Sequence, residues 1–286
     1  MNSKSKLFEA VKNDDLESIK CLAEQGANLH ADNYEALRRA AVKGRLKIVK
    51  YLLEQGANLH AGNDIAFRWA AYHGHLEVVK YLLERGADLR ADDDWALRWA
   101  AAKDHLEVVK YLVEHGANLH ADDDWAIRWA ATKGHLEVVK YLLERGANLH
   151  DDRDETLRWA AEKGHLEIVK CLLGANLHRA LRWAAGCGQL EVVKYLLELG
   201  ADPDILSVKI LIKLFTSYDL QIKKITPQLS SLLLKTELIK NLYKTSARNK
   251  ILSKYKKQVI SSLVILMYHL YYRPSGPGFF QAIEQI

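Results

Sequence analysis

The chain has 286 residues, 49% of them hydrophobic and 27% charged, with 3 Cys and a net charge of +5. That composition fits one or two soluble globular domains and disfavours wholesale disorder, a membrane channel and a disulfide framework. The start, MNSKSKLFEAVKNDD, holds no apolar stretch of the secretory kind, so a reducing, cytoplasmic compartment is expected, with the nucleus left open.

From the N-terminus onward the chain repeats itself with a period of 30. Leu7, Ala10, Leu16, Ile19 and Leu22 are matched by Leu37, Ala40, Leu46, Val49 and Leu52, and Gly26, Gly56, Gly86, Gly116 and Gly146 keep the same spacing. Within one unit the apolar residues fall at helical spacing in two short segments: Leu97, Ala100 and Ala101, then Leu106, Val109, Leu112 and Val113. Each unit is therefore a pair of short helices. Asp94 is expected to cap the first, and Gly116 to end the second in the left-handed conformation. Gly74-His75, Asp104-His105, Gly134-His135 and Gly164-His165 supply the tight turn within the pair. Such a pair cannot bury its apolar face alone, so copies must stack, about seven of them over residues 1–204. One unit is irregular: Trp183 follows Trp159 after only 24 residues, with two residues missing before Gly174 and four after His178. Near 171–183 the spacing predicts a second helix cut by half a turn, almost no finger at Ala175 to Arg179, and a last helix pair rotated or shifted against the array.

The run GHLEVVKYLLERGANLH strongly resembles the ankyrin repeat, and the resemblance covers about residues 5–204. The unit has 30 residues where the family has about 33, and its first helix opens Trp-Ala-Leu-Arg (Trp95 to Arg98) in place of Thr-Pro-Leu-His. This shortened form looks like the ankyrin proteins encoded in large numbers by giant DNA viruses of amoebae, which implies a host-cell cytosol. The resemblance implies an all-α ankyrin-repeat solenoid with a C-terminal helical cap or tail. It also implies a non-enzymatic scaffold that meets a protein partner on the concave side, where first helices and fingers lie.

Residues 30 apart should stack in columns ~10 Å apart. One column is Arg38, Arg68, Arg98, Arg128, Arg158 and Arg182. Each guanidinium is expected to bond finger Asp carboxylates or carbonyls, with a ladder for an acidic partner as the alternative. A second column, Trp69, Trp99, Trp129, Trp159 and Trp183, is expected to pack between repeats while offering ring edges to a partner. Lys43, His73, Lys103, Lys133 and Lys163 end the first helices, where the family's partner contacts fall, and they also suit a helix C-terminus. The partner-facing candidates are therefore Arg68, Trp69, His73, Arg98, Trp99, Lys103, Arg128, Trp129, Lys133, Arg158, Trp159 and Lys163. The Asp runs 92–94 and 122–124 match no EF-hand spacing and are read as caps and Arg partners, and His75, His105, His135 and His165 as the family's structural turn residue. Cys21 and Cys171 share a column with Tyr51, Tyr81, Tyr111, Tyr141 and Tyr195 and are read as packing residues. No metal, cofactor or catalytic group is expected.

At residue 204 the charge changes sign. Residues 1–204 hold 28 Lys and Arg against 33 Asp and Glu, a net −5, whereas residues 205–286 hold 13 against 3, a net +10. Helices are expected over 205–218, 226–245 and 248–272, the first of them capping the solenoid. The apolar stretch 259–272 is shorter than the ~20 residues a membrane span needs. Lys250, Lys254, Lys256 and Lys257 are candidates for a polyanion, so nucleic-acid association through the tail is one alternative function. Recruitment of a host degradation machine is another.

Overall fold

The computed structural model describes residues 3–147, 153–173 and 177–202, and among these it is all-helical, with fourteen α-helices and no strand. In chain order they are α1 (Ser3–Lys12), α2 (Leu16–Glu24), α3 (Ala31–Val42), α4 (Leu46–Glu54), α5 (Ala61–Tyr72), α6 (Leu76–Glu84) and α7 (Ala91–Ala102). Then follow α8 (Leu106–Glu114), α9 (Ala121–Lys133), α10 (Leu136–Glu144), α11 (Arg153–Lys163), α12 (Leu166–Leu172), α13 (Leu177–Cys187) and α14 (Leu190–Glu198). They fall in two compact units, one ending at Thr156 and the other beginning at Leu157. The helices expected beyond residue 204, the change of domain there and the basic cluster lie outside the described residues.

In the first unit α3, α5, α7 and α9 pack side by side as one layer, and each is joined by a tight turn to its partner in a second layer, α4, α6, α8 and α10. Small residues let the first helices approach closely: Ala66, Ala70, Ala96, Ala100, Ala126 and Ala130 are all buried. Branched aliphatics fill the space between the layers, among them Val78, Val79, Leu82, Val108, Val109 and Leu112. Gly116 ends α8 at φ 94. Its N–H bonds Val113 O at 3.0 Å and the Ala117 N–H bonds Leu112 O at 3.0 Å, the pattern a glycine C′ residue gives.

The turn inside each pair is held by the following repeat. His75, His105 and His135 place Nε2 at 2.9, 3.0 and 3.0 Å from the carbonyl oxygens of Val42, Tyr72 and Ala102, each 33 residues earlier. A carbonyl can only accept, so Nε2 carries the proton in each. Arg45 reaches Lys12 O in the same register at 3.3 Å. The turn histidines are thus structural, as the resemblance implies.

Within the second unit α13 packs on α14, and α12 has seven residues where α4, α6, α8, α10 and α14 have nine, so the second helix of the irregular repeat is shortened by the expected half turn. Gln189 Nε2 donates to Glu162 O at 2.8 Å, 27 residues back. The six-residue difference from 33 is the length of the deletion, so this turn keeps the register of the regular repeats, and no shift of the last pair is visible at this bond. Residues 174–176 of the finger expected to be missing lie outside the described residues.

The fingers hold a feature that capping rules do not foresee. Gly62, Asn63 and Asp64 are left-handed in succession (φ 61, 59 and 55), as are Asp92, Asp93 and Asp94 (58, 56 and 53) and Asp122, Asp123 and Asp124 (52, 53 and 57). Left-handed backbone costs about 1–2 kcal/mol at an ordinary residue, and Gly, Asn and Asp tolerate it best. The Asp runs are therefore a backbone device. Asp94 is not the expected N-cap: it is 2% exposed, and its Oδ1 accepts the Asn118 N–H of the next repeat at 2.8 Å.

Candidate functional site

The arginine column closes these left-handed turns. Arg68 donates from Nε to Asn63 O and from Nη2 to Gly62 O, both at 2.9 Å, and from Nη1 to Asp92 Oδ2 of the next finger at 2.6 Å. Arg98 keeps two of these three bonds one unit on, from Nη2 to Asp92 O at 2.9 Å and from Nη1 to Asp122 Oδ2 at 2.5 Å. Arg128 bonds Asp122 O at 3.1 Å and reaches Glu155, 27 residues on, at 3.4 Å; Asp152, which matches Asp92 and Asp122 in register, lies outside the described residues. One guanidinium thus satisfies carbonyls of its own finger and a carboxylate of the following one. At the edges of the column the bonds described are to the same helix. Arg38 pairs with Glu35 of its own helix at 2.5 Å, and Arg158 with Glu162 at 2.7 Å.

Beside the clamps runs a continuous aromatic ribbon. Ring centroids lie 5.8 Å apart for His73 and Trp69, 5.9 Å for Trp69 and Trp95, and 5.6 Å for Trp95 and Trp99. Trp99 and Trp125 follow at 5.1 Å, then Trp125 and Trp129 at 5.2 Å. Tyr72 sits against Trp69, Trp95 and Trp99 at 5.1, 5.8 and 5.4 Å. The tryptophans do pack between repeats, but only in part. Most are half-buried, and Trp129 is 40% exposed. Cations lie on the rings: Arg68 over Trp95 at 5.5 Å, Arg98 over Trp125 at 5.6 Å, Lys103 over Tyr72 at 4.7 Å and Lys133 over Trp129 at 5.5 Å. Burial holds the His73 imidazole below its ordinary pKa, and the nearby His75, His105, Lys43 and Lys103 add to the effect.

Of the sequence candidates, Arg68, Trp69, His73, Arg98, Trp99, Lys103, Arg128, Trp129 and Lys133 come together on α5, α7 and α9 or at their C-terminal ends. Arg158, Trp159 and Lys163 lie on α11, where residues from 157 onward belong to the second unit. Lys250, Lys254, Lys256 and Lys257 lie outside the described residues. Reading the columns missed Tyr72, Trp95 and Trp125, although each of these tryptophans stands four residues before a column Trp on the same helix. Cys21 and Cys171 are exposed, contrary to a packing role: a thiol is too short to cover the surface that a Tyr ring covers at that position. Among the described residues no cluster of His, Cys, Asp or Glu is built to hold a metal, and no helix is long and apolar enough to cross a membrane.

A family model described as ankyrin repeats (3 copies) matches residues 67–153 and 127–207, and one described as ankyrin repeats (many copies) matches residues 37–83. No curated protein matches the chain.

Proposed function

Because the chain belongs to the ankyrin-repeat family, whose repeats are protein–protein interaction modules, we propose that it is a non-enzymatic scaffold holding a protein partner on the first-helix face of its repeats. The observation that carries this reading is the ribbon from His73 to Trp129. Large aromatic area is left in reach of solvent on a row of helices, and the Arg–Asp clamps fix the fingers beside it. Half-exposed Trp on a rigid frame is the material of binding hot spots. The resemblance to the repeats of amoebal giant viruses supports a partner in the host cytosol. Affinity capture with the full chain from such cells, read by mass spectrometry, tests the proposal: a partner held by the wild type and lost on Trp129→Ala supports it. Partners indifferent to Trp129 and Trp99 refute it.

The net +10 of residues 205–286 supports a second reading, in which the tail associates with nucleic acid while the repeats select a protein. Retention on a polyanion column that falls with salt and survives loss of the tail cations Lys250, Lys254, Lys256 and Lys257 would count against it.

A further inference from the structure

The lysines of the two layers in the first unit are paired differently. On α2, α6, α8 and α10 each central Lys has its own Glu three residues earlier: Lys20–Glu17 at 2.8 Å, Lys80–Glu77 at 2.8 Å, Lys110–Glu107 at 2.7 Å and Lys140–Glu137 at 2.8 Å. The first helices end in Lys43, His73, Lys103 and Lys133, all exposed, and among the described residues no carboxylate stands within ion-pair distance of these three lysines. The charges of Arg68 and Arg98, by contrast, are already met by Asp92 and Asp122. Positive charge without a carboxylate partner therefore recurs along the edge of the aromatic ribbon at Lys43, Lys103 and Lys133, with His73 between the first two; in the second layer only α4, at Lys47 and Lys50, departs from the paired pattern of α2, α6, α8 and α10.

We propose that this line binds an extended acidic segment of the partner, with Asp or Glu at every third residue on Lys43, Lys103 and Lys133 and apolar side chains between them on the indoles. The inference rests on the reading of the first-helix face as the partner site. Its spacing is arithmetic: neighbouring helices pack ~10 Å apart, and an extended chain advances ~3.3 Å per residue, so one repeat is crossed in about three residues. His73 completes the row as a hydrogen-bond donor. A nucleic acid fits less well. Its continuous phosphates would lie on a repeat region of net charge −5.

The test is fluorescence anisotropy with the full chain and two labelled peptides of twelve residues. One is Glu-Pro-Val repeated, in which proline keeps the chain extended, and the other has the same composition with the glutamates gathered at one end. The basic tail would hold both peptides alike, so spacing is the discriminating variable. The expected result is that the spaced peptide binds about tenfold more tightly. Lys43→Gln, Lys103→Gln and Lys133→Gln together should abolish that advantage, and Lys80→Gln, Lys110→Gln and Lys140→Gln, which remove equal charge, should leave it within about twofold. Equal binding of the two peptides, or equal loss in the two triple variants, overturns the proposal. So does tighter binding of a labelled oligouridine that depends on the same three lysines. Capture of a partner that needs Trp129 but none of the lysines overturns the acidic segment and leaves the face intact.

Discussion

His105 Nε2 stands 3.0 Å from the carbonyl oxygen of Tyr72, 33 residues earlier, and directly under it lies Gly74, where an added Cβ would sit 2.5 Å from His105 Nδ1. The turn of one repeat is thus shaped to receive the ring of the next.

Gly74→Ala is expected to destabilise the repeats by about 2–3 kcal/mol, because it adds that clash to the strain of a left-handed alanine. Gly86 is also left-handed, at φ 94, but its Cβ would meet nothing within 4 Å, so Gly86→Ala should cost only about 1 kcal/mol. Asp104 occupies the Gly74 position one repeat on at φ 65, and the His135 bond to Ala102 O keeps its 3.0 Å beside it, so Gly74→Asp, which adds the same Cβ but tolerates left-handed backbone better, should be milder than Gly74→Ala. Urea unfolding of the three variants checks the order.

Arg98→Leu is expected to lower stability by about 1–3 kcal/mol, since Asp122 and the Asp92 carbonyl lose a charge-assisted donor together. Arg158 is exposed, and its pair with Glu162 on its own helix is screened by solvent, so the same change there should cost less than at Arg98, whose guanidinium is mostly covered. Equal melting shifts for the two variants would contradict the clamp.

At Asp93, φ 56 and exposed, the backbone conformation rather than any partner selects the residue. Asp93→Val should cost about 1–2 kcal/mol, while Asp93→Asn and Asp93→Gly stay within about 0.5 kcal/mol. A harmless valine in thermal melts would show that the left-handed turn relaxes.

How far this was legible in the sequence depends on the kind of periodicity involved. The helix pairs follow from apolar spacing, and Gly116 from the rule that left-handed C′ positions favour glycine. The Arg–Asp pairing was legible because both partners recur at the period. Tyr72, Trp95 and Trp125 were not, because the ribbon zigzags: from Trp69 it steps 26 residues to Trp95, then 4 to Trp99, so rings that touch are never 30 apart and comparison at the period joins Trp69 to Trp99 without showing the ring between them. Asp94 was misjudged because capping rules assume extended backbone ahead of a helix, and here the chain enters through a left-handed turn.

Burial pushes the Asp94 carboxyl above its ordinary pKa, even though it accepts the Asn118 N–H. For an acid raised by folding, the ionised form is the disfavoured one in the folded state. Protonation between the raised value and the unfolded value of about 3.9 therefore adds stability as the pH falls. Asp94→Asn keeps an acceptor for Asn118 and removes the buried charge. It is expected to melt at or above the wild type at pH 7, with the gap closing towards pH 4. A gap that widens on acidification would reverse the sign of this assignment.

The central claim is that the partner lies along the ribbon of α5, α7 and α9. Photo-crosslinking in cell extract reads this directly, with p-benzoylphenylalanine placed at Trp129 on the first-helix face or at Tyr111 on the second layer of the full chain. The account expects one discrete adduct from position 129, lost in the variant that also carries Lys43→Gln, Lys103→Gln and Lys133→Gln, and none from position 111. An adduct from position 111 with none from position 129 would contradict it.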